Sequence, residues 1–154
     1  MAALVQLSAT KLVTDSTIKV RVMTALVCCL IGGSGVIAFA PTTDPARARA
    51  FYEGVLGLRL AVDEKPFALV FDMGGTMLRV TTVQELRPQP FTILGWRVAE
   101  IEATVDGLVE AGVKFERYPG MNDADPRGIW NSPGGARIAW FKDPDGNVLS
   151  LTEF

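Results

Sequence analysis

From Val36 onward the chain writes the same order of elements twice, and a tandem repeat of this kind limits the fold more than any single motif does. The first copy opens with an apolar stretch, 36–40, that reads as a short strand. TTDPARARAFYEGVLG follows as a helix, with Asp44 at the N-cap, Pro45 in the first turn and Gly57 just past the end. Phe51, Tyr52, Val55 and Leu56 fall on one helical face. Strands are expected at 58–62, 67–72 and 76–82, with turns at Asp63-Glu64-Lys65-Pro66 and Gly74-Gly75.

The second copy repeats that order. FTILGWRV (91–98) reads as a strand, and the next segment as a helix with Ile101, Val105, Leu108 and Val109 inward and Gly112 as its stop. Strands follow at 113–117, 137–142 and 148–154, the second of them delayed by a long connector, YPGMNDADPRGIWNSPGG. The expected fold class is α+β: two tandem βαβββ modules (about 36–84 and 91–154) forming a curved mixed sheet with helices outside. Residues 1–35 read as a poorly ordered extension, with Met23 as a plausible internal start. Lys19 and Arg21 precede an apolar run that imitates a secretory signal, but Met23 to Ile31 is far shorter than the roughly 20 residues a spanning helix needs. Gly32-Gly33-Ser34-Gly35 then interrupts it. The expectation is a cytoplasmic protein with no membrane partner.

Composition removes whole classes of chemistry. The 154 residues include no histidine, which excludes a His-based triad, a His-containing zinc site and a His proton shuttle. The two cysteines, Cys28 and Cys29, are neighbours and cannot readily bridge each other, so no disulfide framework is readable. A net charge of −2 offers no excess of cations for phosphates, so no nucleic-acid partner is expected.

The helix TTDPARARAFYEGVLGL, the stretch EATVDGLVEAGVKFE and above all WFKDPDGNVLSL resemble the vicinal oxygen chelate superfamily, which includes glyoxalase I, extradiol dioxygenases and bleomycin-resistance proteins. That resemblance implies a U-shaped cleft lined by both modules. In the metal-dependent members four side chains from the first and last strands of each module hold a divalent ion. The equivalent positions here are Ile37, Arg79, Ile93 and Ser150. None is a good ligand for a transition metal, so no metal and no cofactor are expected. Glu153 lies an odd number of residues beyond Ser150 and so points to the other face.

Alternation along the strands groups Phe67, Leu69 and Phe71, and separately Ile138, Trp140 and Lys142. The resemblance places Phe67, Leu69, Phe71 and Trp140 on the cleft wall. Ile37 with Phe39, Ile93 with Gly95 and Arg97, and Ser150 with Thr152 flank them. This describes an apolar, aromatic-rich pocket whose polar handles are Arg79, Arg97, Ser150 and Thr152. Arg79 is the expected clamp for a carboxylate or phosphate, with an ion pair to Asp72 or a nearby acid as the structural alternative. Trp96 should face the helices. In the connector, Trp130 reads either as a cover over a bound ring or as a dimer contact, while Met121, Asn122, Asp123, Asp125 and Arg127 form no calcium loop.

The expected function is metal-free binding of an aromatic or anionic small molecule, by a chain that pairs as a homodimer. The alternative is an isomerase, lyase or dioxygenase with an altered site. No catalytic residue can be named, although Glu53, Asp72 and Glu153 are available as bases.

Overall fold

In the computed structural model, residues 31–119 and 125–154 are described. The boundary between the N-terminal segment and the folded domain falls between Val36 and Ile37. The expectations for residues 1–30, and those for Met121, Asn122 and Asp123, lie outside the described residues.

The first module is β1 (Ile37–Thr42), α1, β2 (Arg59–Glu64), β3 (Ala68–Asp72) and β4 (Met77–Thr82). Helix α1 begins at Pro45, with the Asp44 carboxylate accepting from the backbone of Ala46 and Arg47. It runs as α-helix over Pro45–Arg49 and widens into π-helical turns over Ala50–Val55. Gly57 follows at φ 69°, a left-handed position that glycine tolerates without strain. The second module is β5 (Thr92–Arg97), α2 (Ile101–Glu110), β6 (Phe115–Glu116), β7 (Trp130–Asn131), β8 (Arg137–Lys142) and β9 (Val148–Glu153).

Each module forms one sheet. The strand orders are β1-β4-β3-β2 and β5-β9-β8-β6, and in each the first strand lies parallel to the last. The parallel pair needs a crossover, and α1 and α2 supply it. The fold is therefore α+β, with two open, curved mixed sheets, and β1 and β5 touch where the sheets meet.

Two differences from the expected elements matter. Glu64 belongs to β2 rather than to the turn after it. The edge strand of the second sheet is written in two pieces: Glu116 pairs with Trp140, and Trp130 then pairs with Ile138 on the same edge of β8. The connector is thus an excursion out of an edge strand, and its return carries Trp130.

One apolar cluster unites the helix-facing sides of both sheets. Tyr52, Phe71, Leu78 and Val80 meet under α1, and Ile101, Val105, Phe141 and Leu149 meet under α2, all buried. Glu153 caps α2 from outside, accepting from Ile101 N at 2.8 Å, and that bond and the paired Arg137 hold its carboxyl below the usual range. Glu153 therefore points to the helices, as the alternation requires. Trp96 does the same, lying 6.4 Å from Phe141.

Candidate functional site

The faces turned away from the helices are open, and a long side chain crosses the middle of each. In the first module Arg79 of β4 pairs with Glu64 of β2 at 2.5 Å. Strand β3 lies between them, so the guanidinium passes over it. Ala68 and Val70 are buried on this face although they lie outside the main cluster, and the Arg79–Glu64 strap accounts for that. Beside it Ile37, Phe39 and Met77 remain exposed. Arg79 thus sits on the expected face, but its partner is Glu64 rather than Asp72. Asp72 is held by Gly75 N and Arg59, which keep its carboxyl low.

In the second module Trp140 of β8 donates its indole N–H to Thr92 Oγ1 of β5 at 3.1 Å. Strand β9 separates these strands, so the indole lies across β9 above Val148 and Ser150, both buried. Tyr118 meets Trp140 edge to face at 5.8 Å, and Trp130 flanks it at 6.0 Å. Pro90, Phe91, Thr92, Tyr118, Trp140 and Val148 line a cavity of about 280 Å³. Ile138 shares this face between Trp130 and Thr152, and Lys142 pairs with Glu116 at 3.0 Å. Arg97 stacks on the Phe154 ring at 5.6 Å.

The structure therefore brings together Trp140, Ser150, Ile138 and Trp130, with Arg79 on the other sheet. It separates three residues from them. Leu69 and Phe71 lie in the helix-side core, Phe71 against Tyr52 at 5.7 Å. Phe67 precedes β3 and is exposed to solvent. Alternation rightly gave Leu69 and Phe71 a common face, but all four residues from Ala68 to Phe71 are buried, so polarity carried no sign of which face was which. Ile93 also moves: the pairing of β5 with β9 shifts between Thr92 and Leu94, and Ile93 packs against the core while Thr92 takes the open face. Thr92, Tyr118, Phe91 and Glu64 were not anticipated, because each enters through a bulge, an interrupted strand or a contact two strands away.

Ser150 has a close neighbour in Gly95. A Cβ built on Gly95 would lie 2.6 Å from Ser150 Oγ but an ordinary 3.9 Å from Ser150 Cβ. Gly95→Ala is expected to cost about 1–2 kcal/mol, and the same change in a Ser150→Ala background should cost well under half of that. Urea melts of the four proteins measure the coupling, and equal costs in both backgrounds would refute the contact.

A third polar assembly joins the modules. In the turn before β9, Asp145 accepts from Thr42 Oγ1 (2.6 Å), Thr43 N (3.0 Å), Thr43 Oγ1 (2.7 Å) and Arg47 (2.8 Å). Asp143 accepts from the Tyr52 hydroxyl at 2.9 Å, and Asn147 donates to the Pro41 carbonyl at 2.9 Å. Burial first, and then the Asp143 charge, push the Tyr52 phenol far up, so it stays a donor. The DPDGN stretch is a clasp between β9 and the β1–α1 corner.

With this geometry in hand, comparison with known proteins is decisive. Residues 35–151 match the model of the Glyoxalase/Bleomycin resistance protein/Dioxygenase superfamily. The chain belongs to that superfamily. YraH, an uncharacterized protein of Bacillus subtilis (strain 168), is 30% identical over 123 residues, covering 70% of this chain and 88% of YraH. Among solved structures, a superfamily member from Sphaerobacter thermophilus DSM 20745 aligns with a TM-score of 0.62 at 23% identity, covering 79% of this chain and 98% of that one. Lactoylglutathione lyase from Agrobacterium tumefaciens aligns at 0.59 and 19% identity, covering 79% and 95%. These likenesses share the fold.

The superfamily's metal chemistry can be tested against the residues present. At the four ligand positions stand an exposed Ile37, an Arg79 tied to Glu64, an Ile93 packed on the core and a Ser150 under Trp140. Two hydrocarbons, one fixed cation and one hydroxyl do not fit a divalent ion. Among the described residues no group of three acidic or thiol side chains is placed to replace them. No helix among these residues is long and apolar enough to cross a membrane.

Proposed function

We propose that this protein binds a small aromatic or anionic molecule in the cleft between its open sheet faces, without a metal ion, as a cytoplasmic homodimer. The observation that carries the reading is the donor chemistry at Ile37, Arg79, Ile93 and Ser150. The superfamily scaffold is present while its usual grip on a cation is missing. The aromatic cluster around Trp140 supports an aromatic ligand, since such side chains combine a large apolar area with defined stacking geometry. Arg79 supports an anionic one, with the ligand exchanging places with Glu64 on the guanidinium. The exposed Ile37, Phe39 and Met77 favour burial against a second copy. The action would be sequestration.

The test is a thermal-shift screen of aromatic acids and neutral aromatics with elemental analysis of the purified chain. A saturating ligand should raise Tm by roughly 5–10 °C, and a chelator followed by Zn²⁺ or Ni²⁺ should change nothing. Stoichiometric metal, or stability that returns only with the ion, would sink the proposal.

One observation favours an enzyme with an altered site instead. Glu64 places a partly exposed carboxylate on the open face beside Arg79, where a general base would stand. Turnover of a bound ligand that disappears in Glu64→Gln would establish that alternative.

A further inference from the structure

We infer that the hollow beside Trp140 is a subsite for an uncharged one- or two-ring aromatic carrying a carbonyl-type oxygen, which accepts a hydrogen bond from Thr92. This inference rests on the binding reading above and narrows it to one ligand class and one sheet.

Size is the first argument. The cavity of about 280 Å³ lies just below the range of about 300–1,000 Å³ that holds drug-sized ligands. It suits a small fused ring rather than an extended molecule.

Charge is the second. The six lining residues, Pro90, Phe91, Thr92, Tyr118, Trp140 and Val148, include no ionised side chain. The nearest charges on this face answer one another: Lys142 pairs with Glu116, and on the other sheet Arg79 pairs with Glu64. A carboxylate entering the hollow would lose its hydration and find no cation in exchange. A neutral ring meets the face of Trp140 and the edge of Tyr118, which are held about perpendicular at 82°.

Hydrogen-bond accounting is the third. Thr92 Oγ1 accepts the Trp140 N–H, which fixes the oxygen in place and leaves its own proton without an acceptor among the described residues. Next to it, Ser150 is 7% exposed and its hydroxyl also has no partner among the described residues. A face that offers hydroxyl protons but no cation selects an uncharged oxygen acceptor.

A matched pair of probes isolates the charge: 2-acetonaphthone and 2-naphthoate share the ring and the carbonyl, and only the second is an anion. Each is titrated into the full-length protein while the tryptophan indole N–H resonances are followed. The Trp140 signal is assigned by its loss in Trp140→Phe. 2-Acetonaphthone should shift the Trp140 resonance and bind roughly tenfold more tightly than 2-naphthoate. Thr92→Val should weaken it about fivefold, and Arg79→Met should change it less than about twofold. Thermal melts confirm that each variant is folded.

Tighter binding of 2-naphthoate, lost in Arg79→Met, would overturn the inference while leaving the broader proposal of a cleft ligand in place. Equal affinity for the two probes, or indifference to Thr92→Val, would also overturn it. If neither probe shifts Trp140, the hollow is not a site. The broader reading then stands or falls on the thermal-shift screen alone.

Discussion

Asp145→Ala should lower the unfolding free energy by about 3 kcal/mol at pH 7, which for a domain of this size is a fall in Tm of roughly 10 °C. The carboxylate is a hub of four donors from three residues of the other module. Its side chain is only 2% exposed while Arg47 is 47% exposed. Removing the acid therefore strands Thr42 Oγ1 and Thr43 N inside the clasp, whereas Arg47 simply returns to water. That asymmetry places the cost in the hydrogen bonds more than in the ion pair. Tyr52→Phe is a milder probe of the same clasp, because Asp143 keeps the backbone N–H groups of Asp145 and Asn147 and the Asn147 amide, so about 1 kcal/mol is expected. Guanidinium melts of the three proteins decide the matter. An Asp145→Ala loss within about 0.5 kcal/mol of zero would mean the clasp holds nothing together.

The same hub sets a pH dependence. Burial alone raises the Asp145 carboxyl, but the bonds from Thr42 and Thr43 and the Arg47 charge more than offset it, and the net position is below the usual range. A group depressed in the folded state stabilises above its unfolded value, near about 4, and that contribution disappears as pH falls through the folded value. Glu153, depressed first by the Ile101 N–H, behaves likewise. The wild-type protein should therefore lose stability from about pH 4 downward, and Asp145→Ala should show a shallower acid limb. Melts at several pH values check the slope.

Much of this architecture is legible in the residues because it depends on local chemistry. Asp44-Pro45 starts α1 and Gly57 ends it, and the Gly112 and DPDGN signals delimit the second module. The missing metal donors are legible for the simplest reason, since no histidine exists to supply one. What escaped is what depends on neighbours two strands away. Arg79 reaches Glu64 across β3 and Trp140 reaches Thr92 across β9, and no spacing in one strand reports on the next but one. The bulge at Ile93 reverses the alternation that grouped it with Gly95, and the split of β6 from β7 hides Trp130 in what reads as a loop. The DPDGN turn was readable as a turn, but its role as a clasp needs Thr42, Thr43 and Arg47, about a hundred residues earlier.

The assignment of faces on β3 has the largest energetic consequence after the clasp. Phe71 is fully buried against Tyr52 beneath α1, so Phe71→Ala should remove about 3–5 kcal/mol. That is a large share of the stability of a small domain and enough to leave part of the chain unfolded near 37 °C. Phe39, by contrast, is 59% exposed on the open face of β1, and Phe39→Ala should change stability by less than about 0.5 kcal/mol. The two residues are both strand phenylalanines of the first module and differ only in which way the sheet turns them. If Phe71 lined the cleft instead, its loss would weaken ligand binding and leave the fold intact. Urea denaturation of both variants separates these outcomes directly. A Phe71→Ala protein as stable as the wild type would put the helices on the wrong side of β3 and reverse the faces of the whole first sheet.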